Sequence, residues 1–325
     1  MKTIEYYQSK FINHLKRFNS TSNSPRSLYS PIKYILDLGG KRLRPTLTLM
    51  TADCFGGNIS NGLDAALAIE VFHNFSLIHD DIMDKAPLRR GQQTVHEKWD
   101  LNTGILSGDA MLILAYKLFE SYNENQFKQL TTLFSQTALQ VCEGQQYDID
   151  FENRFDVTIS EYIQMIEFKT AVLVGAAMQM GAIVAGASIQ DQKRIYDFGR
   201  NLGIAFQLQD DYLDAFGDPE LFGKQVGGDI LEHKKTYLFL KAMSLGSKDC
   251  QHKLMDLFSN SNLTPTHKIN QTLDLFKSSG ADQATKEAIV NYTNLAFENL
   301  TELPISDHMK QMLHNFGLQL MNRDS

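Results

Sequence analysis

Six aspartates in two short runs are the first residues of this chain that could do chemistry. Leu77-Ile78-His79-Asp80-Asp81-Ile82-Met83-Asp84 carries one Asp-Asp-x-x-Asp cluster, and Phe206-Gln207-Leu208-Gln209-Asp210-Asp211-Tyr212-Leu213-Asp214 carries another. At about 100° per helical residue, positions i and i+4 lie only about 40° apart. Asp80 therefore shares a face with Asp84, and Asp210 with Asp214. Like charges at that spacing destabilise a helix by roughly a few tenths of a kcal/mol, and Asp is a mediocre helix former. Two such triads beside apolar segments are costly unless cations neutralise them. Carboxylates at this density suit Mg²⁺, which takes one or two of them and completes its shell with water and substrate phosphates. A pair of solvated helix ends explains one match more readily than two. A helical bundle can bring both clusters to one cavity.

A magnesium-bound diphosphate also needs fixed cationic donors. Gly39-Gly40-Lys41-Arg42-Leu43-Arg44-Pro45 places three cations in four residues, and Leu88-Arg89-Arg90-Gly91 follows the first acidic cluster closely. Lys169-Thr170 opens a segment of small residues. Lys224 and Lys234-Lys235-Thr236 follow the second cluster and flank Gly227-Gly228-Asp229. Charge runs are usually only solvated faces, but these sit at helix starts and loops beside the carboxylates. His73 lies seven residues before Asp80, two turns back on the same face, and is assigned with it to the site.

The elements that must position these groups read as helices. Leu63, Leu67, Val71, Phe75 and Ile78 form one apolar stripe, and Ile195, Phe198, Leu202, Ala205, Leu208 and Tyr212 another. Further helices are predicted near 3–18, 43–54, 104–122, 127–148, 158–187, 230–245, 265–298 and 305–320, with Asn19 to Pro25 as a loop. Breakers stand at Gly56-Gly57, Pro87, Gly217-Asp218-Pro219, Gly227-Gly228, Pro265 and Pro304. No run of alternating strand residues appears. With 325 residues, 43% hydrophobic and 21% charged, and no shift of composition between halves, the chain reads as one all-α domain, 1–325. The formal net charge of −7 argues against a general nucleic-acid binder. Cys54, Cys142 and Cys250 show no metal or redox spacing and read as reduced core thiols of a cytoplasmic protein. The N-terminus has no apolar run of signal-peptide length. The apolar stretch Ala171 to Gly186 contains Gln179 and is shorter than the roughly 20 residues of a membrane span. It reads as a helix packed within the bundle, and no transmembrane segment is expected.

Taken in order, the motifs GGKRLRP at 39–45, HNFSLIHDDIMD at 73–84 with LRRG at 88–91, KT at 169–170, FQLQDDYLD at 206–214 and GKQVGGDILEHKKTY at 223–237 resemble those of the trans-isoprenyl diphosphate synthases. These are the polyprenyl synthetases that include farnesyl and geranylgeranyl diphosphate synthases. Gly108-Asp109 and Gly144-Gln145 add weaker matches, and the motifs span most of the chain. The resemblance implies an all-α, single-domain helical bundle around a central cavity, of isoprenoid synthase type, usually a homodimer. It implies that Asp80, Asp84 and Asp210 bind three Mg²⁺ ions bridging an allylic diphosphate, with Asp81, Asp211 and Asp214 in support. Arg89, Lys169 and Lys224 match positions that grip that diphosphate, and Lys234 a further lysine beside it. Lys41, Arg44, His73 and Arg90 match the isopentenyl diphosphate site. Thr170 and Gln207 match residues near the developing carbocation. The implied reaction ionises an allylic diphosphate (dimethylallyl, geranyl or farnesyl), lets the alkene of isopentenyl diphosphate attack, and loses a proton to the released diphosphate. Tyr237-Leu238 departs from the Leu-Pro or Tyr-Pro often found after the Lys-x-Thr.

Product length is the finer expectation. Ser76 lies one turn below Asp80 and is too small to close a pocket. Phe75 lies about 140° round, so spacing alone would not aim it inward. The resemblance does, because an aromatic there limits chain growth in short-chain members. With no two-residue insertion in the first cluster, the pattern is most like a geranylgeranyl diphosphate synthase, ahead of a farnesyl one. The rival readings are weaker. A class I terpene cyclase shares the fold and one acidic cluster but not a second Asp-Asp-x-x-Asp. Glu70-x-x-His73 is half of a di-iron site without its partner. His79-Asp80 as part of an HD-type phosphohydrolase leaves the second triad unexplained. A regulatory subunit of a heteromeric synthase tends to lose one of the clusters.

Overall fold

The computed structural model describes residues 2–20, 23–218, 226–259 and 263–321. The described residues are helical apart from connecting segments and one two-stranded hairpin, as the all-α expectation requires. The chain divides into two compact units, Met1–Ser135 with Ala176–Lys193, and Gln136–Gly175 with Arg194–Ser325.

The first unit begins with α1 (Ile4–Asn19), α2 (Arg26–Asp37), α3 (Leu43–Cys54) and α4 (Leu63–Met83). It continues through β1 (Leu88–Arg89), β2 (Gln92–Gln93), α5 (Val95–Lys98), α6 (Leu101–Lys117) and the start of α7 (Glu124–Glu152). Helix α4 is the scaffold of the first acidic cluster. Its Ala65 to Phe72 run is buried and packs chiefly against α6 and α3. Beneath it Phe134 receives the rings of Phe72, Phe119 and Tyr116 edge-on, with centroids 5.1, 5.3 and 4.7 Å away. The helix ends at the cluster because Asp84 closes the last turn on Asp80 O and Lys85 turns left-handed, φ +50°. The hairpin follows from Arg90-Gly91, both left-handed at +54° and +73°, the pair a two-residue type I′ turn needs. It is too short for its four strand residues to show alternation, so it was not predicted. Helix α2 was not predicted either, since Pro31 sits inside it.

The second unit takes the rest of α7 and then α8 (Ile159–Ile166), a π-helical turn Glu167–Ala171, and the start of α9 (Val172–Val184), whose residues from Ala176 on belong to the first unit. Next come α10 (Ile189–Phe216), α11 (Gly228–Leu231), α12 (Tyr237–Leu245) and α13 (Lys248–Ser259). The last three are α14 (Pro265–Ser279), α15 (Ala281–Thr301) and α16 (Asp307–Met321). The chain passes between units within α7, α9 and α10. Helix α8 opens on a capping box: Thr158 Oγ1 accepts from Glu161 N at 3.2 Å, and Glu161 Oε2 accepts from Thr158 N at 2.8 Å. The core of this unit gathers Tyr162, Leu208, Phe239, Phe258 and Phe276.

Two predicted helices are split. The segment 230–245 breaks where His233 turns left-handed at φ +61°, and 265–298 breaks at Gly280, φ +79°. Helix α13 was not predicted. The helical run Ile159–Val184 is 26 residues, longer than the Ala171 to Gly186 stretch read from sequence. It is apolar enough to cross a membrane, yet 67% of its most apolar window is buried inside the protein, as in a core helix. Cys54 and Cys250 are buried thiols, but Cys142 is exposed, so the core reading fails for that one.

Candidate active site

In the second unit a cavity of about 260 Å³ collects six carboxylates among the described residues: Asp148, Glu152, Asp210, Asp211, Asp214 and Asp229. Lys169, Lys234 and Lys235 line it too, with Thr170, Gln207 and Tyr162. Local sequence explains how α7, α8, α10 and the turn at 227–236 converge there. The π turn carries Lys169 and Thr170, and such single wide turns recur at functional sites. Gly144 of α7 lets that turn approach, because a Cβ there would collide with the backbone of Phe168 and Lys169. Lys169 Nζ then meets Asp148 Oδ2 at 2.5 Å. Thr170 Oγ1 donates to Gln207 Oε1 at 3.3 Å, and Gln207 Nε2 donates to Asp211 Oδ1 at 3.1 Å. The other Asp211 oxygen accepts from the Tyr162 hydroxyl.

Asp214 holds the next turn. Its Oδ2 accepts from Asp229 N at 3.0 Å and its backbone carbonyl from Gly227 N at 2.6 Å. Gly227 is left-handed at φ +85° and lies against Ile269, which only glycine can do without strain. Lys234 stands 3.4 Å from Asp229 and 2.8 Å from Glu232. Lys235 points elsewhere: its ammonium donates to the Phe151 and Glu152 carbonyls at 2.9 and 2.6 Å, satisfying the end of α7.

Among the described residues, carboxylates outnumber ammonium groups in this pocket. Burial, then repulsion from Asp229, pushes the Asp211 carboxyl well above the usual range. Burial also raises Asp229, against the pull of Lys234. For Lys234 burial works the other way, but Asp229 and Glu232 outweigh it and hold the ammonium above its ordinary value. Carboxylates that gain from a proton also gain from a metal cation, and all-oxygen donors fit Mg²⁺. Among the described residues no three ligating side chains converge into a ready-made metal cluster.

In the first unit, Asp80 is half-buried and Asp84 exposed at the end of α4. Asp81 points the other way, its side chain 1% exposed, and Arg89 grips it through Nε to both oxygens at 2.8 Å and Nη2 at 2.7 Å. Burial raises the Asp81 carboxyl against that pull. Asp81 thus anchors Arg89, whose Nη2 lies 3.5 Å from Asp80.

The basic loop is tied to the same helix. Arg44 Nη1 meets His73 Nε2 at 3.1 Å. A guanidinium only donates, so Nε2 accepts and the ring proton sits on Nδ1. Burial, then the charges of Arg44 and Arg90, holds His73 well below its ordinary pKa. Arg90 donates to Gly39 O, and its guanidinium covers Gly40, where a Cβ would come within 2.8 Å of Cζ. Arg42, left-handed at φ +48°, is buried and donates to Glu70 and to Leu36 O. Lys41 is exposed, its carbonyl held by Gln8 Nε2 at 2.9 Å. Phe75 packs on Phe72 and His79, centroids 5.5 and 4.8 Å away, and Ser76 donates to His73 O at 2.8 Å.

The structure therefore gathers Asp210, Asp211, Asp214, Lys169, Thr170, Gln207 and Lys234 in one pocket, and Arg44, His73 and Arg90 in one cluster. Lys224 lies outside the described residues. Sequence reasoning did not assign Asp148, Tyr162, Asp229, Arg42 or Glu70 to the site. Glu70 was legible as a misfit: an ionisable group inside the apolar run of α4 needs a counter-charge, and Arg42 supplies it. That ion pair also removes the di-iron reading of Glu70. Tyr162 carried no signal, since it looks like any core aromatic.

The polyprenyl synthetase family profile matches residues 25–276. Geranylgeranyl diphosphate synthase of Methanosarcina mazei is 40% identical over 242 residues, covering 74% of this chain and 73% of that protein. Geranylfarnesyl diphosphate synthase of Natronomonas pharaonis is 35% identical over 317 residues, covering 92% and 91%. A crystal structure of a geranylgeranyl pyrophosphate synthase superposes with a TM-score of 0.95 at 55% identity over 100% of both chains.

Proposed function

Because the chain belongs to the polyprenyl synthetase family, we propose that it joins isopentenyl diphosphate head-to-tail to dimethylallyl, geranyl or farnesyl diphosphate, giving an all-trans product, geranylgeranyl diphosphate in preference to farnesyl diphosphate. The observation that carries this reading is the pocket of the second unit. There an excess of carboxylates stands beside Lys169 and the Thr170–Gln207 pair. The names of the relatives support a twenty-carbon product, and the geranylfarnesyl synthase marks the longer alternative.

In this reading Asp80, Asp84 and Asp210 hold three Mg²⁺, supported by Asp81, Asp211 and Asp214. When bound, Mg²⁺ supplies charge neutralisation of the departing diphosphate. The side chains do the rest. Arg89, Lys169 and Lys224, with Lys234 nearby, hold the allylic diphosphate as charge develops on it. Lys41, Arg44, His73 and Arg90 hold isopentenyl diphosphate, so that its alkene is delivered to the allylic carbon. The oxygens of Thr170 and Gln207 stabilise the positive carbon, and the apolar walls Phe151, Met165 and Ile166 keep water from it. The released diphosphate takes the proton. Phe75 and Ser76 set the room for the growing chain.

The reading includes one polyprenyl synthetase domain in a cytoplasmic homodimer. The exposed Ile105, Leu106 and Ile113 of α6 support a second copy as occupant of that face. Sedimentation of the purified protein tests it, and a monomer at micromolar concentration would refute it. The activity is tested with Mg²⁺, labelled isopentenyl diphosphate and each allylic diphosphate in turn. No incorporation with any of the three would refute the synthase, and consumption of an allylic diphosphate without isopentenyl diphosphate would favour a cyclase.

A further inference from the structure

Gln207 enters the pocket with an amide whose two ends carry opposite partial charge. Which end meets the reacting carbon matters, because an amide oxygen stabilises positive charge and an amide NH₂ opposes it. The hydrogen bond to Asp211 assigns the orientation. Nε2 donates to Asp211 Oδ1 at 3.1 Å, and Oε1 accepts from Thr170 Oγ1 at 3.3 Å. With Asp211 ionised, as beside a bound cation, its oxygens only accept, so a flipped amide would set oxygen against oxygen at Asp211 and lose that bond; the Thr170 hydroxyl can pair with either end of the amide. Asp211 is itself held. Its Oδ2 accepts from the hydroxyl of Tyr162, and the two residues are 7% and 3% exposed. Both oxygens of this aspartate are thus engaged by protein donors, Gln207 from its own helix and Tyr162 from α8. Tyr162 hangs from α8, one turn before the π turn that carries Thr170, so one continuous segment supplies both ends of the chain of bonds.

We propose that Tyr162 is a positioning residue for the condensation: its hydroxyl fixes the Asp211 carboxylate, which in turn holds the Gln207 amide with its oxygen on the Thr170 side of the pocket, where the allylic carbon becomes positive. The inference rests on the proposed synthase activity. It gives Asp211 an orienting duty within the second acidic cluster and gives a function to a tyrosine that otherwise looks like core.

The test is a double-mutant cycle of Tyr162→Phe and Gln207→Leu, read by steady-state kinetics with Mg²⁺ titration. Tyr162→Phe alone is expected to lower kcat about tenfold, with KM for both substrates and half-saturating Mg²⁺ within about twofold of wild type. In the Gln207→Leu background the same change should cost less than about twofold, because no amide is left to orient. Losses that simply multiply, an unchanged kcat in Tyr162→Phe, or a raised Mg²⁺ requirement would each overturn the proposal. If Tyr162→Phe does not fold, Asp211→Asn serves instead. Its amide can donate to Gln207 and invert it, so kcat should fall, and fall less in the Gln207→Leu background; equal losses in the two backgrounds overturn the proposal. A wild-type protein that incorporates no isopentenyl diphosphate refutes the synthase reading. An active wild type with an additive cycle refutes only the role of Tyr162.

Discussion

Replacing Glu70 by Gln tests how the basic loop is held. Glu70 is 2% exposed and Arg42 7%, so the pair is out of water. Arg42 donates to Glu70 and to Leu36 O, and Asn74 Nδ2 adds a bond to Glu70 Oε1 at 3.0 Å. Removing one partner of a buried ion pair costs about 3–5 kcal/mol, mostly because the other charge stays buried without compensation. Glutamine keeps an acceptor oxygen, so Glu70→Gln should fall at the lower end, about 3 kcal/mol. The loop should suffer with it. Arg42 is left-handed between Lys41 and Arg44, and without its anchor the cations beside it lose their fixed direction. KM for isopentenyl diphosphate should rise about tenfold while KM for the allylic substrate stays within about twofold. The double variant Glu70→Leu with Arg42→Met leaves no buried charge and should cost less than Glu70→Gln alone. Urea unfolding followed by circular dichroism gives the stabilities, and steady-state rates with each substrate varied give the KM values. Single-variant costs that add in the double, or an unchanged KM for isopentenyl diphosphate, would refute the reasoning.

The remaining predictions concern metal, product and pH. Asp80→Asn and Asp210→Asn should each lower kcat by about 10²–10³, and EDTA should abolish activity until Mg²⁺ is restored, both read with labelled isopentenyl diphosphate. Phe75→Ala or Phe75→Ser should lengthen the product on chromatography after dephosphorylation, since the ring now filling space beside Phe72 and His79 is removed; unchanged length removes Phe75 from the floor. His73 contributes to pH dependence with a definite sign. Its folded pKa lies well below the ordinary value of about 6.5 because of burial, then Arg44, Arg90, Arg89 and Arg42. The unfolded chain therefore takes the proton first on acidification. Stability from neutral His73 is complete above about pH 6.5 and is lost as pH falls from there toward the folded value. His73→Gln should flatten the acid-side decline of the urea midpoint, and a parallel decline would exclude His73 as its source.

Much of the site was legible along the chain because its chemistry comes in short runs. The carboxylates of α4 and α10 recur at helical spacing, and the cations cluster at breakers such as Gly39-Gly40 and Gly227-Gly228. Helix α4 was legible because apolar residues recur every third or fourth position, which is the period of one buried face. Where the chain turns was harder to read. Glycine at Gly280 and a left-handed His233 split two helices whose apolar pattern runs through the break. The periodicity reports burial and is blind to φ.

Sequence by itself determined the all-α class, the six aspartates and the identity of most cations, since residue type and spacing are sufficient for those. Tertiary structure decided what each charge faces. Of the aspartates that look alike in sequence, Asp81 is committed to Arg89, Asp211 to Tyr162 and Gln207, and Asp214 to the Asp229 turn. Buried carboxylates must find donors, and those donors come from residues 8, 49, 4 and 15 positions away. Apart from the i,i+4 pair Gln207–Asp211 of one helix, only packing brings such groups within 3 Å or so, which is why a pattern of spacings could find the clusters and could not divide the work among their members.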